Sequence, residues 1–365
     1  MARTTFTPDY APHPGAILEE DLEALGMTRA ELAARCGRPL KTISEILHGK
    51  AQITPETAMQ LERVLGRPAA VWQNLEVAYR LHLASRAEAP ILASHVAWAK
   101  RFPLKQMVAN GWLEVGERPE DEDIVRALLE YFGVGSVAAL EHSGPGAVAA
   151  FRRSPAFEAA PEAVAAWLRR GEVEGMEAEC APFSRAKLKA SLSELRELTL
   201  HPVPTVVDRL RELCGELGIA LVFVPELPKT HLSGAARWLS KDKALIQLSL
   251  RHKTGDHFWF SFFHELGHVF LHGKRQSFID EHSAKPGDDL EREANRFASD
   301  LLIPPAPLEA FVGAADLSAR AIRRFATTIR THPGIVVGRL QFDGHLPHSH
   351  HWDLKERLEL TSSRP

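Results

Sequence analysis

Cysteine and tyrosine are scarce in this 365-residue chain, three of each. Cys36, Cys180 and Cys214 are widely scattered and odd in number. That excludes a zinc knuckle and a disulfide framework, and reduced thiols in a reducing compartment are expected. Tyr10, Tyr79 and Tyr131 all lie early in the chain. Beside whatever a metal ion supplies, histidine or arginine rather than tyrosine is therefore expected to stabilise an oxyanion in chemistry placed late in the chain. No apolar run reaches the roughly 18 residues of a spanning helix. The opening stretch MARTTFTPDYAPHPG lacks the apolar core of a signal peptide. A soluble, cytoplasmic protein with no membrane partner is expected. Charge of one sign is missing as well: the net formal charge is −3, so contact with nucleic acid must come from a local patch. No internal repeat and no long charge run occurs, apart from the histidine-rich HLPHSHHW near the end.

What is present is an ordinary globular balance, 45% hydrophobic and 25% charged, in a chain long enough for two or three domains. The patterning predicts an α+β protein, mostly helical. Residues 1–84 read as a five-helix unit. Residues 85–200 read as a helical linker or regulatory region, interrupted by the Gly-, Pro- and Ala-rich tract EHSGPGAVAAFRRSPAFEAAPEA, a joint. From 201 to 345 the character changes to a mixed domain with a small sheet, and 346–365 reads as a tail. In the mixed domain VVDRLRELCGELG is an amphipathic helix, and IALVFVPEL, SGAARWLS and ALIQLSL have strand-like length and pattern. HFWFSFFHELGHVFLH and LEREANRFASDLLIPP read as helices, and a terminal strand is expected at IVVGRLQFDG.

In the first unit, TRAELAARC, a tight GRPL junction and KTISEILHG have the length of a helix-turn-helix. Thr28 with Glu31 forms a capping box, and Gly37 ends the first helix of the pair. Ala33 and Ala34 are small enough to let the helices approach; Leu32, Ile43 and Leu47 knit them together. Over residues 29–50 five basic side chains oppose two acidic ones, whereas 18–27 hold four acids and no base. The basic side coincides with the second helix. Lys41, Thr42 and Ser44 are the candidates for base edges, and Arg38 and Lys50 for phosphates. Helix pairs of this length also serve as dimerisation or protein-binding modules.

In the mixed domain the segment FFHELGHVFLH places His264 and His268 four residues apart, on one helix face, ready to hold one metal ion. Glu265 between them is the candidate base for a water at the metal's open position. The apolar neighbours Phe260, Phe262, Phe263, Leu266, Val269, Phe270 and Leu271 predict a nearly buried helix, and Gly267 a close helix approach. A third ligand is available at Glu291, 23 residues beyond His268. Glu293 lies about 200° around the same helix, so only one of the two can face the metal. Glu291 is preferred because small Ala294 and Ala298 share its face. Asn295 can then hydrogen-bond a ligating histidine. Two histidines, one carboxylate and an open position make a catalytic zinc set rather than a closed structural one. His332, His345, His348, His350 and His351 are the downstream candidates for oxyanion support. ALIQLSL could offer a sheet edge to an extended peptide or lie in the sheet interior. His252 and His257 either rim a cleft or sit in a loop.

Two resemblances run through these motifs. HPGAILEEDLEALGMTRAELAARCGRPLKTISEILHGKAQITPETAMQLERVLGRPAAVWQNLEVAYRL resembles the XRE-type helix-turn-helix domain of HigA-like antitoxins. It departs at Leu40-Lys41-Thr42, after Pro39. This resemblance implies a homodimer on a palindromic double-stranded DNA operator. FHELGHVFLH together with E-x-x-A-N-x-F-A-x-x-L-L-x-P resembles the ImmA/IrrE metallopeptidases of the gluzincin group, over roughly residues 200–310. The second implies Zn2+ at His264, His268 and Glu291, catalysis by Glu265, and cleavage of a helix-turn-helix repressor or antitoxin that controls stress or mobile-element genes. Joined in one chain, the two ends admit three readings. They are a DNA-tethered zinc peptidase, a non-catalytic transcriptional regulator using the zinc fold as sensor, and an antitoxin-like module whose C-terminal fold binds a partner protein. The first is the expectation, because His264, Glu265, His268 and Glu291 are all intact.

Overall fold

The computed structural model describes residues 10–143, 160–230, 232–249, 254–272, 278–281 and 289–358. Residues 144–159 of the Gly- and Pro-rich tract, and His252, lie outside the described residues. The chain divides into two compact units, Met1–Val96 with Pro119–Val125, and Ala97–Arg118 with Arg126–Pro365. Among the described residues no helix is long and apolar enough to cross a membrane.

The N-terminal unit contains the five expected helices: α1 (Pro14–Ala24), α2 (Arg29–Cys36), α3 (Leu40–Leu47), α4 (Pro55–Leu65) and α5 (Ala69–Ser94). Their ends follow local chemistry. Thr28 Oγ1 accepts the N–H of Glu31 at 3.1 Å, Thr54 Oγ1 that of Thr57 at 3.3 Å, and Gly37 and Gly66 end α2 and α4 at positive φ. The opening HPG has a packing role. His13 Nδ1 accepts the Gly15 N–H, and a Cβ at Gly15 would fall 2.6 Å from the carbonyl oxygens of Ile46 and Leu47. Helix α1 therefore lies directly on the end of α3. Leu18, Leu32, Ile43, Leu61 and Trp72 form the core with Ala33. Ala34 is exposed, so Ala33 alone supplies the close approach. Helix α5 runs through residue 84, with Pro90 inside it.

Short helices α6 (Val96–Ala99), α7 (Leu104–Ala109), α8 (Asp121–Phe132) and α9 (Val137–Ser143) follow. Next come α10 (Pro161–Glu177), α11 (Arg185–Glu197) and α12 (Val203–Glu216), then strands β1 (Ile219–Phe223), β2 (Leu232–Ser240) and β3 (Lys243–Leu248). Helix α13 (Gly255–Leu271), β4 (Phe278–Glu281), α14 (Asp289–Leu302), α15 (Pro305–Gly313), α16 (Ala319–Ile329) and α17 (Pro333–Phe342) complete the order. The sheet order is β1-β3-β2-β4. Strand β1 pairs parallel with β3, while β2 runs antiparallel to both β3 and β4. Alternation along β3 separates two faces. Leu245 and Gln247 meet Gly175 and Gly171 of α10, whereas Ala244, Ile246 and Leu248 join the core formed with Phe258, Phe262 and Leu266 of α13.

One open alternative is decided and one expectation is corrected. ALIQLSL, as β3, has a paired strand on each side, so it offers no free edge to a peptide. IVVGRLQFDG is not a strand but α17. His332 Nδ1 caps the first turn through the Gly334 N–H at 3.1 Å, and Pro333 stands at the first helical position. Ile335, Val336, Val337 and Leu340 are all buried. An apolar run buried on several sides has no period that separates helix from strand. The last described residues pack onto the same unit: Glu356 accepts the Val203 N–H at 2.9 Å, and Leu354 and Leu358 are buried.

Candidate metal centre

Helix α13 sets His264 and His268 one turn apart, and both side chains are buried under the sheet. Their Nε2 atoms are 3.0 Å apart. Glu291, in the first turn of α14, reaches between them, with Oε2 3.2 Å from His264 Nε2 and Oε1 3.2 Å from His268 Nε2. The two helices come this close because small residues meet at the crossing. A Cβ at Gly267 would lie 3.3 Å from Ala294 Cα, and Ala294 and Ala298 are fully buried. Glu293 turns away to solvent and faces His272 Nε2 at 3.3 Å. Asn295 Oδ1 lies 3.0 Å from His264 Nδ1, which fixes the proton on Nδ1 and leaves Nε2 free to ligate.

The donor set fits a tetrahedral zinc ion. Bonds of about 2.0–2.1 Å at tetrahedral angles put ligand atoms about 3.3 Å apart, against 3.0–3.2 Å between these three. All three donor atoms lie within 4.8 Å of one another. Electrostatics agree with ligation. Burial pushes the Glu291 carboxyl up, but its contacts with His264 and His268 outweigh it and hold it at about 2. Burial lowers His268 against the pull of Glu291, which favours the neutral imidazole that metal binding requires.

Glu265 is 0% exposed. Its carboxyl is held against β2, where a Cβ at Gly234 would fall 2.4 Å from Oε1. Beside the cluster a cavity of about 470 Å3 is lined by Glu291, Asn295, Phe260, Ile335, Arg339 and His348, among others. Its wall also holds a buried ion pair, Lys355 Nζ to Asp256 Oδ2 at 2.7 Å.

The segment 214–329 matches the family model of the IrrE N-terminal-like domain, a peptidase family, and residues 18–72 match that of the helix-turn-helix. The Uncharacterized HTH-type transcriptional regulator YddM of Escherichia coli (strain K12) is 39% identical over 70 residues, 19% of this chain and 74% of that protein. Virulence-associated protein A of Dichelobacter nodosus is 35% identical over 99 residues, 27% of this chain and 93% of its own length. The chain joins an N-terminal XRE-type helix-turn-helix domain to an IrrE/ImmA-like peptidase-family domain. Among solved structures, an addiction module antidote protein of the HigA family from Coxiella burnetii is 32% identical, over 22% of this chain and 90% of its own, with a TM-score of 0.22.

In the helix-turn-helix domain the five candidate DNA contacts all fall on α3 or its flanks. Lys41 is highly exposed, with Nζ 3.8 Å from Glu45; Thr42 and Ser44 are half-buried on α3 and Lys50 is exposed just beyond it. Arg38 Nε donates to Gln60 Oε1 at 2.7 Å. Of the downstream histidines, His348 lines the cavity, held there because Gln341 Nε2 donates to its carbonyl and to that of His350. His257 lines the cavity too. His332 caps α17, His351 Nε2 lies 3.1 Å from the Leu317 carbonyl oxygen, and His345 and His350 are exposed. Sequence reasoning missed His272, Arg339 and the Asp256–Lys355 pair. His272 carried a signal, its four-residue step from His268. The other two carried none, since they meet α13 and the cavity only through the packing of α17 and the terminal segment.

Proposed function

We propose that this chain is a transcriptional regulator that binds operator DNA as a homodimer through α3 and holds a zinc ion at His264, His268 and Glu291. The DNA half rests on the helix-turn-helix match and on the relative named as an HTH-type transcriptional regulator. The observation that carries the metal half is the spacing of 3.0–3.2 Å among two imidazole Nε2 atoms and one carboxylate, inside the peptidase-family segment. The finer reading is hydrolysis of a peptide bond in a helix-turn-helix repressor or antitoxin. When bound, zinc supplies Lewis acidity toward a carbonyl and lowers the pKa of water. Glu265 would take the proton from water and pass it to the leaving nitrogen. Arg339 and His348, on the cavity wall, would meet the developing oxyanion, while Phe260 and Ile335 would receive an apolar side chain of the substrate.

A second reading keeps the zinc and drops the hydrolysis, so that metal occupancy reports to the DNA-binding unit. The similarity to an HTH-type transcriptional regulator favours it, since control through DNA binding needs no hydrolysis. One experiment separates the two. Zinc-loaded protein and its Glu265→Gln variant are incubated with a co-encoded repressor or antitoxin, and products are followed by mass spectrometry. Cleavage by the unaltered protein alone supports hydrolysis. No cleavage by either, with operator binding that changes on zinc loading, supports the sensor.

A further inference from the structure

We propose that His272, backed by Glu293, positions His268 for the metal through a one-way chain of hydrogen bonds. The inference rests on the reading of His264, His268 and Glu291 as ligands. His268 points its Nε2 at Glu291 and His264. On the opposite side of its ring, Nδ1 lies 3.0 Å from His272 Nδ1, and His272 Nε2 lies 3.3 Å from Glu293 Oε2. A contact between two ring nitrogens requires one proton between them. If His272 carried it, His268 would be protonated at Nε2, where the metal must bind, and His272 would turn a bare nitrogen toward a carboxylate. With the proton on His268 Nδ1, both ends are satisfied. His268 donates to His272, His272 donates to Glu293, and Nε2 of His268 is free.

The place of His272 follows from the helix. It is the C-cap of α13, one turn beyond His268, with its N–H on the His268 carbonyl at 3.2 Å. Its side chain is only 3% exposed, whereas that of Glu293 is 60% exposed, so His272 fixes the geometry and Glu293 tunes it. Because His272 meets the far side of His268, it is a positioning residue and not a fourth ligand.

Zinc affinity is measured by competition with a chromophoric chelator for the full chain and for His272→Phe and His272→Gln. The phenyl ring keeps the bulk and removes the acceptor; the Gln oxygen can still accept. The expected result is a loss of about 10–100-fold for His272→Phe and substantial recovery for His272→Gln, with unchanged circular dichroism of the metal-free proteins. Equal affinity in the unaltered protein and His272→Phe overturns the inference and leaves the metal site standing. Failure of the unaltered protein to bind zinc overturns the metal reading itself. Long-range proton–nitrogen NMR of the zinc-loaded unaltered protein needs no variant. Protons on His268 Nδ1 and His272 Nε2 support the chain, and a proton on His272 Nδ1 overturns it.

Discussion

Replacing Lys355 by Met tests how the end of the chain holds the start of the metal-bearing helix. Lys355 Nζ lies 2.7 Å from Asp256 Oδ2, with side-chain exposures of 4% and 6%. Asp256 Oδ1 has no hydrogen-bond partner among the described residues, so Lys355 is its main compensation. At an effective dielectric of about 20, the gross attraction at that separation is about 6 kcal/mol. Desolvation consumes much of it, and removing one partner of such a pair costs roughly 3–5 kcal/mol because a charge is left buried alone. The pair lines a cavity that water can enter, which places Lys355→Met near the low end, about 3 kcal/mol. Asp256 sits in the first turn of α13 and keeps a favourable interaction of about 0.3–1 kcal/mol with the helix N-terminus. Asp256→Asn should cost less, about 2 kcal/mol, since its amide oxygen still accepts from Lys355. The double variant Asp256→Asn/Lys355→Met buries no charge and should return to within about 1 kcal/mol of the unaltered protein. The assay is urea denaturation with chelator present, so that metal adds nothing by mass action, read on the transition of the unit that contains α13. The effect should persist at high salt, because a buried pair is little screened. A loss below about 1 kcal/mol for Lys355→Met, or losses that simply add in the double variant, refutes the reasoning.

Four further outcomes are expected. Glu291→Ala should abolish zinc binding while Glu293→Ala weakens it less than about fivefold, as for an exposed ionic contact; isothermal titration with zinc checks the order. Burial lowers His332 from its ordinary value of 6.5, against the pull of Asp256, and the cap of α17 needs it neutral. Its contribution to stability is therefore full above pH 6.5 and lost as pH falls through the lowered folded value, and His332→Asn should flatten that part of the stability–pH curve in thermal melts. Gly15→Ala should destabilise the N-terminal unit by about 1–3 kcal/mol through overpacking on α3; denaturation of the full chain decides the sign. Lys41→Ala should weaken operator binding and lower its salt slope by about 1 if that side chain meets a phosphate, or relax base preference with the slope unchanged if it reads a base.

The sequence alone determined what depends on short spacing. A four-residue step puts His264 and His268 on one helix face, a 3.6-residue period puts Glu291 with Ala294 and Ala298, and Thr28, Gly37 and Thr54 mark helix ends by their own side chains or their lack of one. These are local consequences of backbone geometry, and they held. What remained hidden depends on which surfaces meet. The apolar run at Ile335 fits a strand or a helix equally until neighbours bury it on several sides. The central place of β3 follows from β1 joining it in parallel from the far side, a long-range pairing with no local mark. The cavity, the Asp256–Lys355 pair across 99 residues, and the choice of His272 as the partner of His268 arise only when α13, α14, α17 and the terminal segment pack together. Spacing along one helix is written in the chain; contact between distant segments is decided by the close packing of the folded core.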